Sequence, residues 1–235
     1  MRKPARDSVR YRAEHELQHT LSVTLVYLGS TDNIGGVEIV LPVEPEAGDR
    51  RVRRSKTALL AATIQLISER GSTEVSVTEL AEVADVSRRV LYQHFGSRDA
   101  LIVAAAADLL SRELIPHLPP NLDTRESTVV MAGHMAANRS FYRAILTGSC
   151  SYATARAVSQ LFSPFATTDA RESFGLDEEL ASEVGDYFVG ATVTAIATWL
   201  ADGPDPLDPE EFAYRMQRIR SVLTSEQRAS ADSAR

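Results

Sequence analysis

The chain has 235 residues, 44% hydrophobic and 24% charged, enough for one large domain or two small ones and too apolar for wholesale disorder. A single cysteine, Cys150, excludes an intramolecular disulfide framework and any multi-cysteine zinc or iron–sulfur site. The net charge of −7 is uneven: residues 50–112 hold ten basic and seven acidic side chains, against five and eight in 1–49 and ten and seventeen in 113–235. The basic middle segment is either a fluctuation of charge or the docking module for a polyanion.

Residues 1–49 differ from the rest. Leu21-Ser-Val-Thr-Leu-Val-Tyr-Leu28 and Val37-Glu-Ile-Val-Leu-Pro-Val43 are strand-like runs about a turn-rich stretch, so the segment reads as a disordered extension or a weak hairpin. A start of the true chain near Val52 is a third reading. The apolar stretch 21–28 follows Glu14 and Glu16 and has no small-residue cleavage site, which argues against a signal peptide. The longest charge-free apolar run, the fifteen residues between Asp186 and Asp202, is too short and threonine-rich to span a bilayer. A soluble, reduced, cytoplasmic protein without membrane contact is expected.

From Arg50 onward the 3.6-residue period dominates. A helix over 56–70 places Leu59, Ala62, Thr63, Leu66 and Ile67 on one face and stops at Gly71. Ser76-Val-Thr-Glu79 has the spacing of a capping box and starts a short helix ending at Ala84. Asp85-Val-Ser87 makes a three-residue turn, and Ser87 caps a second short helix over 88–95, stopped by Gly96. Ser97 caps a long alanine-rich helix, 98–114, that ends before Pro116. Further helices are expected over 124–147, 151–165, 177–201 and 209–225, with a frayed tail over 226–235. With no strand–helix alternation the fold class is all-α. The division is an extension (1–49), a helix-turn-helix domain (50–112), a helical ligand-binding and dimerisation domain (113–225) and a disordered tail (226–235).

Two capped helices joined by so short a turn form a helix-turn-helix, whose second helix fits the major groove of B-DNA. Arg88 and Arg89 stand in the first turn of that second helix, behind Ser87, where an arginine can donate two hydrogen bonds to guanine O6 and N7. Tyr92 one turn on and Thr78 on the preceding helix can reach phosphates, with His94 a weaker candidate and Arg98 adding charge at the next helix start. Arg50-Arg-Val-Arg-Arg-Ser-Lys56, which includes Arg53, Arg54 and Lys56, is either a solvated charge run or an arm along phosphates.

The run Thr78-Glu-Leu-Ala-Glu-Val-Ala-Asp-Val-Ser-Arg-Arg-Val-Leu-Tyr-Gln-His-Phe-Gly-Ser-Arg-Asp-Ala-Leu101 resembles the DNA-binding signature of tetracycline-repressor (TetR) family regulators, within a match over 56–109. The resemblance implies an all-α homodimer whose C-terminal domain binds a small molecule and pairs through its last two long helices, near 177–201 and 209–225. It implies phosphate contacts at Thr78, Tyr92 and Arg98, and base or backbone contacts at Arg88 and Arg89 with Gln93 or His94. Three positions depart from the family pattern: Asp85 for glycine, Val90 for threonine, and Arg98 for lysine. Aspartate tolerates the left-handed turn, valine forfeits one phosphate hydrogen bond, and arginine keeps the charge.

The C-terminal part is less specific. Met131, His134, Met135, Asn138, Phe141 and Tyr142 recur at helical spacing and, with Phe162, Phe165 and Tyr187, either line an apolar cavity with polar handles or form plain core. Residues 134–143 also resemble the opening of ligand domains in one subgroup of the family. The stretch 187–200 is apolar nearly all round, as for a helix buried against both its own domain and a partner, or simply within the core. No nucleophile elbow, phosphate loop, metal spacing or paired catalytic carboxylate stands in 113–235, so no catalytic residue, metal or cofactor is expected. The function expected is a dimeric regulator, a repressor on a pseudo-palindromic DNA operator tuned by a small-molecule effector. The alternatives are a ligand-independent DNA-binding or architectural protein and an enzyme with an accessory helix-turn-helix.

Overall fold

The computed structural model describes residues 50–119, 122 and 124–233, with side chains as far as Val222. The expectation for residues 1–49 lies outside the described residues. The chain divides into two compact units, Met1–Arg54 and Ser55–Arg235, and the first contributes only residues 50–54 to the described region.

Helix α1, Arg50–Arg70, buries Leu59, Leu60, Ala62, Thr63, Leu66 and Ile67, so the basic run that opens it is itself helical. Gly71 ends it at φ 63°, its amide bonded to Ile67 O at 2.8 Å. Helices α2 (Val77–Val83), α3 (Arg88–Phe95) and α4 (Arg98–Leu109) follow at the caps read from the sequence, Ser76, Ser87 and Ser97. Leu101–Ala107 and Leu109 of α4 are all buried, because its alanines let neighbours close in from every side. The helix expected over 98–114 loosens before its end: Leu110–Leu114 form a π turn and Ile115–His117 a 3-10 turn. Pro116, which has no amide to donate, stands inside that last turn.

The expected helix 124–147 is two helices, α5 (Arg125–Ala137) and α6 (Arg139–Thr147), broken at Asn138 with φ −111° and ψ 30°. The Asn138 amide donates to His134 O at 3.1 Å, the competition with the helix ladder that makes asparagine a poor interior residue. Helix α7, Ser151–Phe174, runs nine residues past the expected end at Phe165 and carries Pro164 inside it. Packing along α8 (Glu178–Asp202) holds it through the missing bond. At the crossing a Cβ on Gly185 would lie 2.8 Å from Thr167 N and 2.9 Å from Ala166 C, so only glycine permits this approach. Helix α9, Pro209–Ser233, continues past Ser225 because Glu226–Ala229 contain no glycine or proline to stop it.

Among the described residues no strand occurs, and the fold is all-α. Two adjacent residues at the start of α6 join distant parts of the second unit. Arg139 donates to Leu200 O, Gly203 O and Pro204 O at 3.0, 2.8 and 3.1 Å, satisfying carbonyls that the end of α8 leaves without helical partners. Ser140 donates to Ser68 O near the end of α1. Trp199 of α8 lies 4.5 Å from Phe212 of α9 between ring centroids, and Arg125 pairs with Glu210, tying α5 to α9.

Candidate nucleic-acid interface and cavity

The turn between α2 and α3 is a closed hydrogen-bonded unit. Ser76 Oγ accepts from Glu79 N at 3.2 Å while Glu79 returns to Ser76 N at 2.8 Å. At the other end of α2 the amide of Val86 bonds Ala81 O and that of Asp85 bonds Glu82 O, the Schellman pattern, with Asp85 at φ 51°. Glu79 also pairs with Arg70, fastening α2 to the end of α1, and that hydrogen bond, followed by those from Ser76, pulls its carboxyl down to about 2. The left-handed position makes a testable order. Asp85→Gly should match or exceed the parent in urea midpoint, whereas Asp85→Val, with a branched Cβ at positive φ, should lose about 1–2 kcal/mol.

Helix α3 buries Leu91 and presents its opposite side to solvent. Arg88, Arg89, Gln93 and Thr78 are exposed, Tyr92 is 52% exposed, and neither arginine forms an ion pair with a described residue. Ser87 Oγ accepts from Val90 N at 3.4 Å, holding the first turn of α3 behind the two arginines. Val90 is half-buried against the core and itself offers no side-chain donor where the family pattern has threonine.

Two of the residues expected at DNA have protein partners. His94 is half-buried, its Nε2 3.0 Å from Ser55 Oγ of α1, and burial and then the charge of Lys56 lower its pKa. Arg98 Nε donates to Asp99 at 2.8 Å, offsetting its charge locally. Lys56 is half-buried on α1; Arg53 and Arg54 are exposed and belong to the first unit.

A second feature lies between α5, α7, α8 and α9: a mostly apolar cavity of about 200 Å³. Met131, Met135 and Phe162 line it, as read from the sequence. Six other residues expected there do not. Phe141 and Tyr142 are fully buried core, His134 Nε2 lies 2.8 Å from Tyr142 Oη, Asn138 is at the helix break, and Tyr187 is 63% exposed. Phe165 packs against the core outside the cavity lining. The break at Asn138 rotates α6 out of the phase of α5, so the spacing from Met131 does not carry through to Tyr142. Burial lowers the His134 pKa and raises that of Tyr142.

The sequence reading missed Asp169, Phe174, Phe188 and Arg220. Asp169 falls on the same face of α7 as Phe162, at i+7, and Phe174 follows Ala170 one turn on, a signal lost when the helix was ended at Phe165. Asp169 Oδ2 accepts from Leu122 N at 2.9 Å, and burial pushes its carboxyl up to about 6 against that bond. The Arg220 guanidinium stands over the Phe188 ring, 5.4 Å from its centroid.

Residues 59–108 match the model of the tetR family of bacterial regulatory proteins, a span that holds α2, α3 and most of α4 in the order and spacing just described. That stretch of the chain is a tetR-type domain. Curated relatives agree over this tetR-type domain. The chain is 34% identical over 68 residues to the HTH-type transcriptional regulator BetI of Rhizobium meliloti, covering 29% of this chain and 32% of that one. It is 40% identical over 70 residues to BetI of Brucella anthropi, covering 30% and 34%. The match thus spans about a third of the length of these relatives. A TetR transcriptional regulator from Rhodococcus sp. RHA1 shares the fold, with a TM-score of 0.51 at 19% identity over 74% of this chain and 98% of that one.

Proposed function

We propose that this chain, with its tetR-type domain, is a homodimeric DNA-binding transcriptional regulator, a repressor whose hold on its operator is tuned by a small molecule. The observation that carries the reading is the outward pair Arg88 and Arg89 on the first turn of a helix fixed at both ends by caps. Lowered into a major groove, that turn would offer two guanidiniums to guanine edges while Thr78 and Tyr92 meet phosphates on either side. His94, bonded to Ser55, supports α3 against α1 instead of reading DNA.

The outer faces of α8 and α9 supply the partner surface. Tyr187, Gly190, Ala191, Thr194 and Thr198 are exposed along α8, and Tyr214 and Val222 along α9 are 57% and 69% exposed. Helix α8 is long and apolar enough to cross a membrane by length and composition. Its packing supports another account: Gly185, Val189, Val193 and Ile196 are buried on one side, and a second copy covers the small-residue side. The cavity favours a ligand-responsive regulator over a ligand-independent one. A molecule that binds one arrangement of the pair better would shift the population on DNA by that difference in affinity.

The test is enrichment of random duplexes on the purified full chain. A pseudo-palindrome with half-sites about 34–36 Å apart, or a multiple of that, is the expected product. Binding with no enriched sequence would overturn the reading.

A further inference from the structure

The cavity among α5, α7, α8 and α9 has an uneven charge pattern. Asp169 is the one acidic side chain among its described lining residues, and it stands on an apolar face of α7 between Phe162 and Phe174. Its carboxylate accepts one backbone amide, that of Leu122, where a solvated carboxylate has about four acceptor sites to fill. Burial and Glu172 on the following turn both work against its charge, yet with a carboxyl near 6 it is ionised at neutral pH. An ionised group in an apolar wall gains most from a donor that carries the opposite charge. The rest of the cavity is shaped for hydrocarbon: Met131 and Met135 are adaptable thioethers, and Phe174 and Phe188 stack with ring centroids 6.3 Å apart and planes at 19°. The positive group in the lining, Arg220, is engaged over the Phe188 face.

We propose that the cavity takes an organic cation, its ammonium group held by the Asp169 carboxylate and an apolar body of roughly eight to ten heavy atoms lying along Met131, Met135 and Phe162. This rests on reading the cavity as the effector site. A carboxylate or sulfonate head would meet the Asp169 charge, and a neutral head would leave that charge without its strongest partner.

The experiment needs neither operator nor native effector. Calorimetric titration of the full chain with octylammonium, 1-octanol and octanoate holds the chain constant and changes only the head. Octylammonium should bind about tenfold or more tighter than octanol, the effect of placing the opposite charge on the donor. Asp169→Asn keeps an oxygen for the Leu122 amide and should erase the preference for octylammonium over octanol. Binding of octanol by the variant also reports that its cavity is intact. If octanoate binds tightest, or Asp169→Asn leaves the preference for octylammonium unchanged, the cation assignment is wrong and the effector cavity stands. If none of the three binds, the effector reading of the cavity falls and the cation assignment with it.

Discussion

Replacing Arg88 and Arg89 together with alanine should reduce affinity for the enriched operator by roughly thirtyfold to ten-thousandfold for each half-site engaged and erase its preference over unrelated duplex. Each bidentate arginine–guanine pair contributes about 1–3 kcal/mol of discrimination, and two such pairs on one helical turn set the range. The effect should be confined to DNA. Both side chains are exposed, neither forms an ion pair with a described residue, and the Ser87 cap that organises α3 is left untouched. Alanine is also the best helix former, so the urea midpoint should hold or rise. A gel-shift titration at two salt concentrations separates the roles: loss of base contacts lowers affinity for the operator alone, whereas loss of phosphate contacts weakens every sequence and flattens the salt slope. If the double variant keeps its sequence preference, α3 is not the reading helix.

That prediction comes from residues close together in sequence, and the interface was legible for the same reason. Ser76 with Glu79, Asp85 at the turn, Ser87 and Gly96 are local devices whose partners lie within five residues, so their spacing alone determines the geometry. The cavity is a different kind of object. Its walls come from four helices far apart in the chain, and helical period cannot tell a side chain that faces a void from one that faces packed core. Met131 and Phe141 illustrate the difference: both are apolar and in step by spacing, but the break at Asn138 separates them, and Phe141 is sealed in the core. Asp169 escaped notice for a simpler reason, since the proline at 164 argues for an end to the helix and long-range packing against α8 overrides it. His94 carried the right motif position, but only the fold shows that its ring nitrogen is engaged by Ser55.

The second large effect is expected at Gly190. This residue lies mid-way along α8 on the exposed side, and a Cβ built there meets nothing within 4 Å of its own chain. Gly190→Arg therefore fits the isolated protomer and should strengthen the helix by about 1 kcal/mol, since glycine is a poor interior residue. In a pair formed through α8 and α9 the same substitution drives two long cations into the closest part of the interface, where no acceptor waits and desolvation costs several kcal/mol per charge. Sedimentation should then show a monomer of unchanged helical content where the parent is a dimer. Operator affinity should fall by about a hundredfold or more, because linking two half-site contacts in one rigid body gains that much without any new contact. Gly190→Ala adds one methyl to a small-residue face and should remain paired. A Gly190→Arg chain that still sediments as a dimer would move the interface away from α8, and with it the account of why so apolar a helix leaves one side uncovered.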